Sequence, residues 1–192
     1  TRLGWGPYYK NQLWLTVLES PVEWRISPLI RFRMRRLIRR RPFAFKDPRF
    51  CYTLNAWRPF LPDDTRFVCV FRDPRVTAHS IAKAVTQASY LHNLRVSPEQ
   101  ALEIWMAMYD QVLHFHSRNR AGWLFLSYES ILSGESTKIL SRFLQTSLDQ
   151  NFVTASLRRS SPAQIELPER AASLHQELLE AAASTQERAL NE

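Results

Sequence analysis

An arginine at the end of a strand and a serine two turns into the following helix can hold one anion between them, and this sequence has such a pair. The apolar run Arg66-Phe67-Val68-Cys69-Val70-Phe71 breaks at Arg72-Asp73-Pro74-Arg75. Asp73 can cap a helix and Pro74 suits its first turn. A strand, an arginine and then a helix start would set the Arg72 guanidinium beside free backbone N–H groups, where anions are favoured. Ser80 lies about 10–12 Å further along the axis at ~1.5 Å per residue. Helical side chains lean back towards the N-terminus and arginine is long, so both could touch one phosphate. The plainer alternative pairs Arg72 with Asp73 or a neighbouring helix and leaves Ser80 an ordinary helix residue. A second turn, Lys46-Asp47-Pro48-Arg49, closes the short apolar segment Phe43-Ala44-Phe45. A third, Tyr128-Glu129-Ser130, closes residues 122–127.

These turns need a frame. The segment 66–71 reads as a strand covered on both faces, because its apolar run is continuous. Residues 43–45 read as a short buried strand and 122–127 as a further one. Helices are expected over 8–19, over 28–40 and from 98 to about 116. Another should follow Tyr128-Glu129 and end near Leu144, and a last one should run from Pro168 to about Ala183. Ser97-Pro98-Glu99-Gln100 is a capping box with proline at its first helical position. In the 28–40 segment Ile30, Met34, Leu37 and Ile38 recur at helical spacing, which predicts a core-facing stripe among arginines. Trp57 and Trp105 read as core residues. Strands separated by whole helices require crossovers, so the expected fold is α/β, a parallel sheet with helices on both faces. Ligands of such sheets bind beyond the carboxyl ends of the strands, where all three turns fall.

The chain has 192 residues, 45% hydrophobic, 12% aromatic and 23% charged, the profile of a globular domain rather than a disordered or fibrous one. No repeat or low-complexity linker divides it, so residues 1–192 read as one domain. No apolar run approaches the ~18 residues of a membrane span, and the first residues lack a signal-peptide pattern. The two cysteines, Cys51 and Cys69, make neither a disulfide framework nor a zinc-ligand spacing. A reducing, cytoplasmic setting is the simplest expectation, and no metal ligands are assigned. The net charge is +8, and between Arg25 and Arg41 lie eight arginines and no acid. The whole surplus of base over acid therefore equals one segment. Arginine outnumbers lysine 22 to 4. Its planar fork suits phosphate and sulfate, although high genomic GC content would give the same bias.

Taken in order, FKDPRFCYTLNAW, RFVCVFRDPRVTAHSI, Trp105 within a helix and LFLSYESIL resemble the sulfotransferase family, over roughly residues 43–160. The pattern is closer to bacterial members than to the cytosolic steroid and phenol enzymes. The resemblance implies a P-loop-like nucleotide-binding fold that uses 3′-phosphoadenosine 5′-phosphosulfate (PAPS) as sulfuryl donor. The reaction would be transfer to a hydroxyl or amine of a small-molecule or carbohydrate acceptor. It assigns Arg72 and Ser80, eight residues apart, to the 3′-phosphate of the donor, Tyr128 to the neighbourhood of the adenine, and Arg158 and Arg159 to a stretch closing over that phosphate. Lys46 should open into the same crevice and stabilise the leaving phosphate, in a displacement that depends on positioning and charge. A solvated lysine at a strand end is its plain alternative.

The base is left open. Pro48 stands where cytosolic members carry a histidine. Asp47 is the adjacent candidate but could simply cap its turn; Glu19 and Glu23 precede the basic helix, and His79 reads as a packing or solvent-facing residue. The family's first strand and its Gly-rich phosphosulfate loop are missing, as the chain has four glycines and none of them forms such a loop before residue 43. Truncation after the loop or a degenerate member would both explain this, and the start at Thr1 favours truncation. A second function class fits the same sequence, a non-catalytic nucleotide- or polyanion-binding remnant. It would use the arginine-rich helix 28–41, with Arg31 to Arg41 contacting nucleic acid, a heparin-like polymer or an anionic membrane.

Overall fold

The computed structural model describes residues 17, 21, 23–88, 95–149 and 162–191. Two strands, β1 (Phe67–Phe71) and β2 (Trp123–Ser127), pair in parallel with Phe67 opposite Trp123 and Phe71 opposite Ser127. Around them run α1 (Pro28–Ile38), α2 (Phe50–Trp57), α3 (Pro74–Gln87), α4 (Pro98–Arg118), α5 (Tyr128–Leu132), α6 (Glu135–Leu144) and α7 (Glu169–Asn191). The protein is thus mixed α/β, mostly helical, with a two-stranded parallel sheet among the described residues. No helix among them is long and apolar enough to cross a membrane.

The local signals act where they were read. Asp73 accepts the N–H groups of Arg75 and Val76 at 2.9 and 3.2 Å and starts α3, with Pro74 in its first turn. Ser97 and Gln100 close the capping box of α4. Gly122 holds φ +73° directly before β2, and a Cβ there would stand 3.0 Å from the Thr65 carbonyl oxygen, so the turn needs glycine.

The larger core cluster lies on one face of the sheet. Phe71, Cys69, Trp123 and Phe125 pack with Trp105 and Leu102 of α4 and with Leu174 and Leu178 of α7. On the other face Leu124 and Leu126 are fully buried under α6 and the end of α7. The free edge of β2 is closed by side chains: the Phe125 N–H donates to Thr185 Oγ1 at 3.0 Å, and Gln186 Nε2 donates to the Phe125 carbonyl at 3.2 Å. An edge pairing supplied by a helix removes a strand-addition hazard. On β1 the Tyr109 hydroxyl donates to the Val70 carbonyl at 3.0 Å.

Four expectations change. Phe43-Ala44-Phe45 is not a strand. Its two phenylalanines stack on each other at 5.3 Å, and Phe45 reaches Trp57 at 6.1 Å, so aromatic contact rather than a ladder satisfies the alternation. Pro42 and Pro48, which carry no N–H, bound this stretch. Strand β1 is not covered on both faces: Val68 and Val70, beside Leu124 and Leu126, are exposed. Helices therefore cover both faces only at β2. In α1 only Met34 and Ile38 are buried, while Ile30 and Leu37 face solvent. The last helix continues to Asn191, because its extension is buried against β2: Thr185 accepts the Phe125 N–H and Ala189 packs with Leu124 and Leu126. The helix expected over 8–19 falls almost wholly outside the described residues.

Candidate functional site

Parallel pairing brings Phe71 and Ser127 side by side, so the residues that follow them, Arg72 and Tyr128-Glu129, meet at the carboxyl end of the sheet. The Arg72 guanidinium lies over the Tyr128 ring, 4.6 Å from its centroid. Its Nε is 3.7 Å from Glu129 Oε1, close enough for attraction but too long for a hydrogen bond. The Arg72 side chain is 17% exposed, and its Nε and Nη2 are buried without an acceptor among the described residues. Unmet donors on a largely desolvated cation are costly, and an anion would relieve that cost.

The start of α3 differs from the sequence reading. The Asp73 carboxylate occupies two of its first N–H groups and lies 3.5 Å from Arg75 Nη2. The helix end is already capped by an anion of its own, so the binding potential rests on Arg72 rather than on free backbone donors. Ser80 is half-buried on α3, and so is His79.

His175 of α7 is the member of this end that sequence reasoning missed. Its ring meets Phe71 edge-on at 6.1 Å and Trp105 at 6.3 Å. Burial lowers its pKa; the charges of Asp73 and Glu129 pull it back up and Arg75 pushes it down. It is therefore a neutral imidazole near pH 7, set among the charged groups of the strand ends. No local motif marks it, since it sits between Leu174 and Leu178 of a core stripe, over a hundred positions from Arg72.

Lys46 is exposed ahead of α2 and has no ion pair or hydrogen bond among the described residues. Asp47 accepts the Arg49 backbone N–H at 2.9 Å and Arg49 Nε at 2.8 Å, and its other oxygen pairs with Arg49 Nη2. These bonds hold its carboxyl below the usual range and tie it into the turn that opens α2. Glu23 is exposed. Trp105 is a core residue at 1% exposure, and Trp57 joins an aromatic group with Phe45 and Phe50. Arg158, Arg159 and Glu19 lie outside the described residues. Burial pushes the thiols of Cys51 and Cys69 up to about 12, which removes both as nucleophiles near neutral pH. Among the described residues no three His, Cys, Asp or Glu side chains gather as a metal set. A cavity of about 360 Å³ opens at the opposite, amino end of the strands, over Phe67 and Trp123 with Arg58 and Arg118 on its wall.

No protein-family model, curated protein or solved structure matches the chain. The site is therefore read from its own geometry.

Proposed function

We propose that the chain binds the 3′-phosphoadenosine end of PAPS and serves sulfuryl transfer to a hydroxyl or amine acceptor. One observation carries the reading: Arg72, placed over the Tyr128 ring at the carboxyl end of a parallel strand pair, keeps two buried donor nitrogens with no acceptor among the described residues. A phosphate oxygen is the partner such a fork suits. In this reading Arg72 grips the 3′-phosphate, Ser80 adds a hydroxyl from α3, and Tyr128 orients the guanidinium and borders the adenine. Arg158 and Arg159 would close over the phosphate from the C-terminal side. PAPS supplies the sulfuryl group. The exposed ammonium of Lys46, which pairs with no acid among the described residues, would stabilise charge on the departing phosphate oxygen. Asp47 would take the acceptor proton, as a carboxylate made less basic by its bonds to Arg49.

Calorimetry with 3′-phosphoadenosine 5′-phosphate and with adenosine 5′-phosphate tests this. The native chain should prefer the first. Removing a charged partner of a bound phosphate typically costs roughly 2–5 kcal/mol and a neutral hydroxyl about 1. Arg72→Ala should therefore abolish the preference and Ser80→Ala should only weaken it. Equal binding of the two nucleotides by the native chain, or a preference that survives Arg72→Ala, would leave Arg72 as a structural partner of Glu129.

A further inference from the structure

We propose that α1 docks the protein on an anionic lipid surface, independently of any nucleotide bound at Arg72. The helix is poorly spent on the fold. Only Met34 and Ile38 point inward, whereas Leu29, Ile30, Phe32 and Leu37 are 58, 50, 61 and 51% exposed. The arginines of α1 and its end, Arg31, Arg33, Arg35, Arg36, Arg39 and Arg40, are all exposed. Among the described residues none of them has an acidic partner; Arg41 alone pairs, with Asp64 at 3.2 Å. Arg35 lies over the Phe60 ring at 5.5 Å, and the segment from Arg25 to Arg41 contains no acid.

The arrangement around the helix selects the partner. At about 100° per residue, Ile30 and Leu37 fall together beside the buried line. Leu29 falls among Arg33, Arg36 and Arg40, and Phe32 falls beside Arg35 and Arg39. Large apolar side chains thus alternate with guanidinium groups across the outward face. A sulfated polymer or a nucleic-acid backbone would use the arginines and leave four large apolar side chains in water. A bilayer interface uses both: apolar groups enter the acyl boundary while arginine stems reach back to the lipid phosphates. The charge sign fixes the lipid class as anionic.

Flotation of the full chain with phosphatidylcholine vesicles, with and without phosphatidylserine, tests the proposal beside elution from immobilised heparin. The native chain should float only with the anionic vesicles. Replacing Arg33, Arg36 and Arg40 with Gln should lower that partition on the order of a hundredfold, at roughly fivefold per arginine near such a surface. Leu29→Gln with Phe32→Gln should lower it roughly tenfold or more while heparin elution stays put. All five positions are exposed, so a thermal melt should show both variants folded as the native chain. A native chain that does not float, or an apolar double variant that floats as well as the native chain, overturns the proposal; the second result would mark α1 as a contact for polyanions in general. Neither result bears on the nucleotide preference assigned to Arg72.

Discussion

Arg72 and the arginines of α1 are the same side chain in opposite settings. Arg72 is 17% exposed, rests on an aromatic ring, and holds two buried donor nitrogens, Nε and Nη2, that find no acceptor among the described residues. The α1 guanidiniums stand in solvent, and the Arg41–Asp64 ion pair at their end joins side chains that are 53 and 74% exposed. Burial makes the first electrostatically strong and geometrically selective, because the surrounding dielectric is low. Exposure makes the others weak one by one, screened by salt and additive in number. A single desolvated arginine can therefore discriminate between ligands, while a row of solvated ones can only accumulate affinity. The basic balance of the chain reports the second group and says nothing of the first.

The largest effect that would break this contrast comes from Arg72→Met. The substitution keeps a long side chain over Tyr128, where a thioether also packs well. It removes two unmet donors and only a long, half-exposed attraction to Glu129. Affinity for 3′-phosphoadenosine 5′-phosphate should fall by roughly 2–5 kcal/mol. The unliganded protein should be unchanged or more stable by about 1–2 kcal/mol, since an apolar replacement of an unsatisfied buried group costs nothing. Urea unfolding without ligand decides it. A clear loss of stability would show that Glu129 already satisfies Arg72, and the difference from α1 would shrink to one of exposure alone.

How far these two settings could be read from sequence follows from how local their causes are. The strand ending at Arg72, the cap at Asp73, the capping box at Ser97 and the strand before Tyr128 are written in neighbouring residues, and they form as read. The meeting of Arg72 with Tyr128 required only that the two strands pair in parallel. What failed was non-local. Ile30 and Leu37 have the spacing of a core stripe, but spacing cannot say whether anything packs against it, and here only Met34 and Ile38 find cover. Phe43 and Phe45 alternate like a strand and satisfy each other instead. His175 joins the strand ends because α7 returns across the sheet, and no pattern near residue 175 encodes that return.

A smaller effect sharpens the contrast through pH. Burial lowers the pKa of His175, and of His116, where the charges of Arg120 and Arg188 push the same way. With a folded-state pKa below the ordinary ~6.5, the unfolded chain takes up its protons first on acidification. The stability contributed by the neutral rings is thus complete above that value and is lost as pH falls through the folded-state pKa. The urea midpoint should decline from about pH 7 downwards. His175→Gln should flatten part of that slope, and an unaltered slope would place the titration elsewhere. If the charges at the strand ends act together, protonated His175 should also tighten nucleotide binding, a trend absent from vesicle binding by α1, which carries no histidine.

The smallest effect belongs to the α1 arginines taken as part of the fold. Replacing Arg33, Arg36, Arg39 and Arg40 with Gln removes four charges that touch no acid among the described residues. Exposed substitutions of this kind stay within about 0.5 kcal/mol. Relief of mutual repulsion between neighbouring arginines offsets the small loss of favourable charge at the end of the helix, where Arg36 lies in the last turn. The melting temperature should therefore hardly move, while elution from immobilised heparin comes at lower salt and with a flatter salt dependence. A melting temperature that falls by several degrees would mean that these guanidiniums are held by partners of their own. In that case α1 would be structural after all, and the division between one selective arginine and a row of cumulative ones would not describe this molecule.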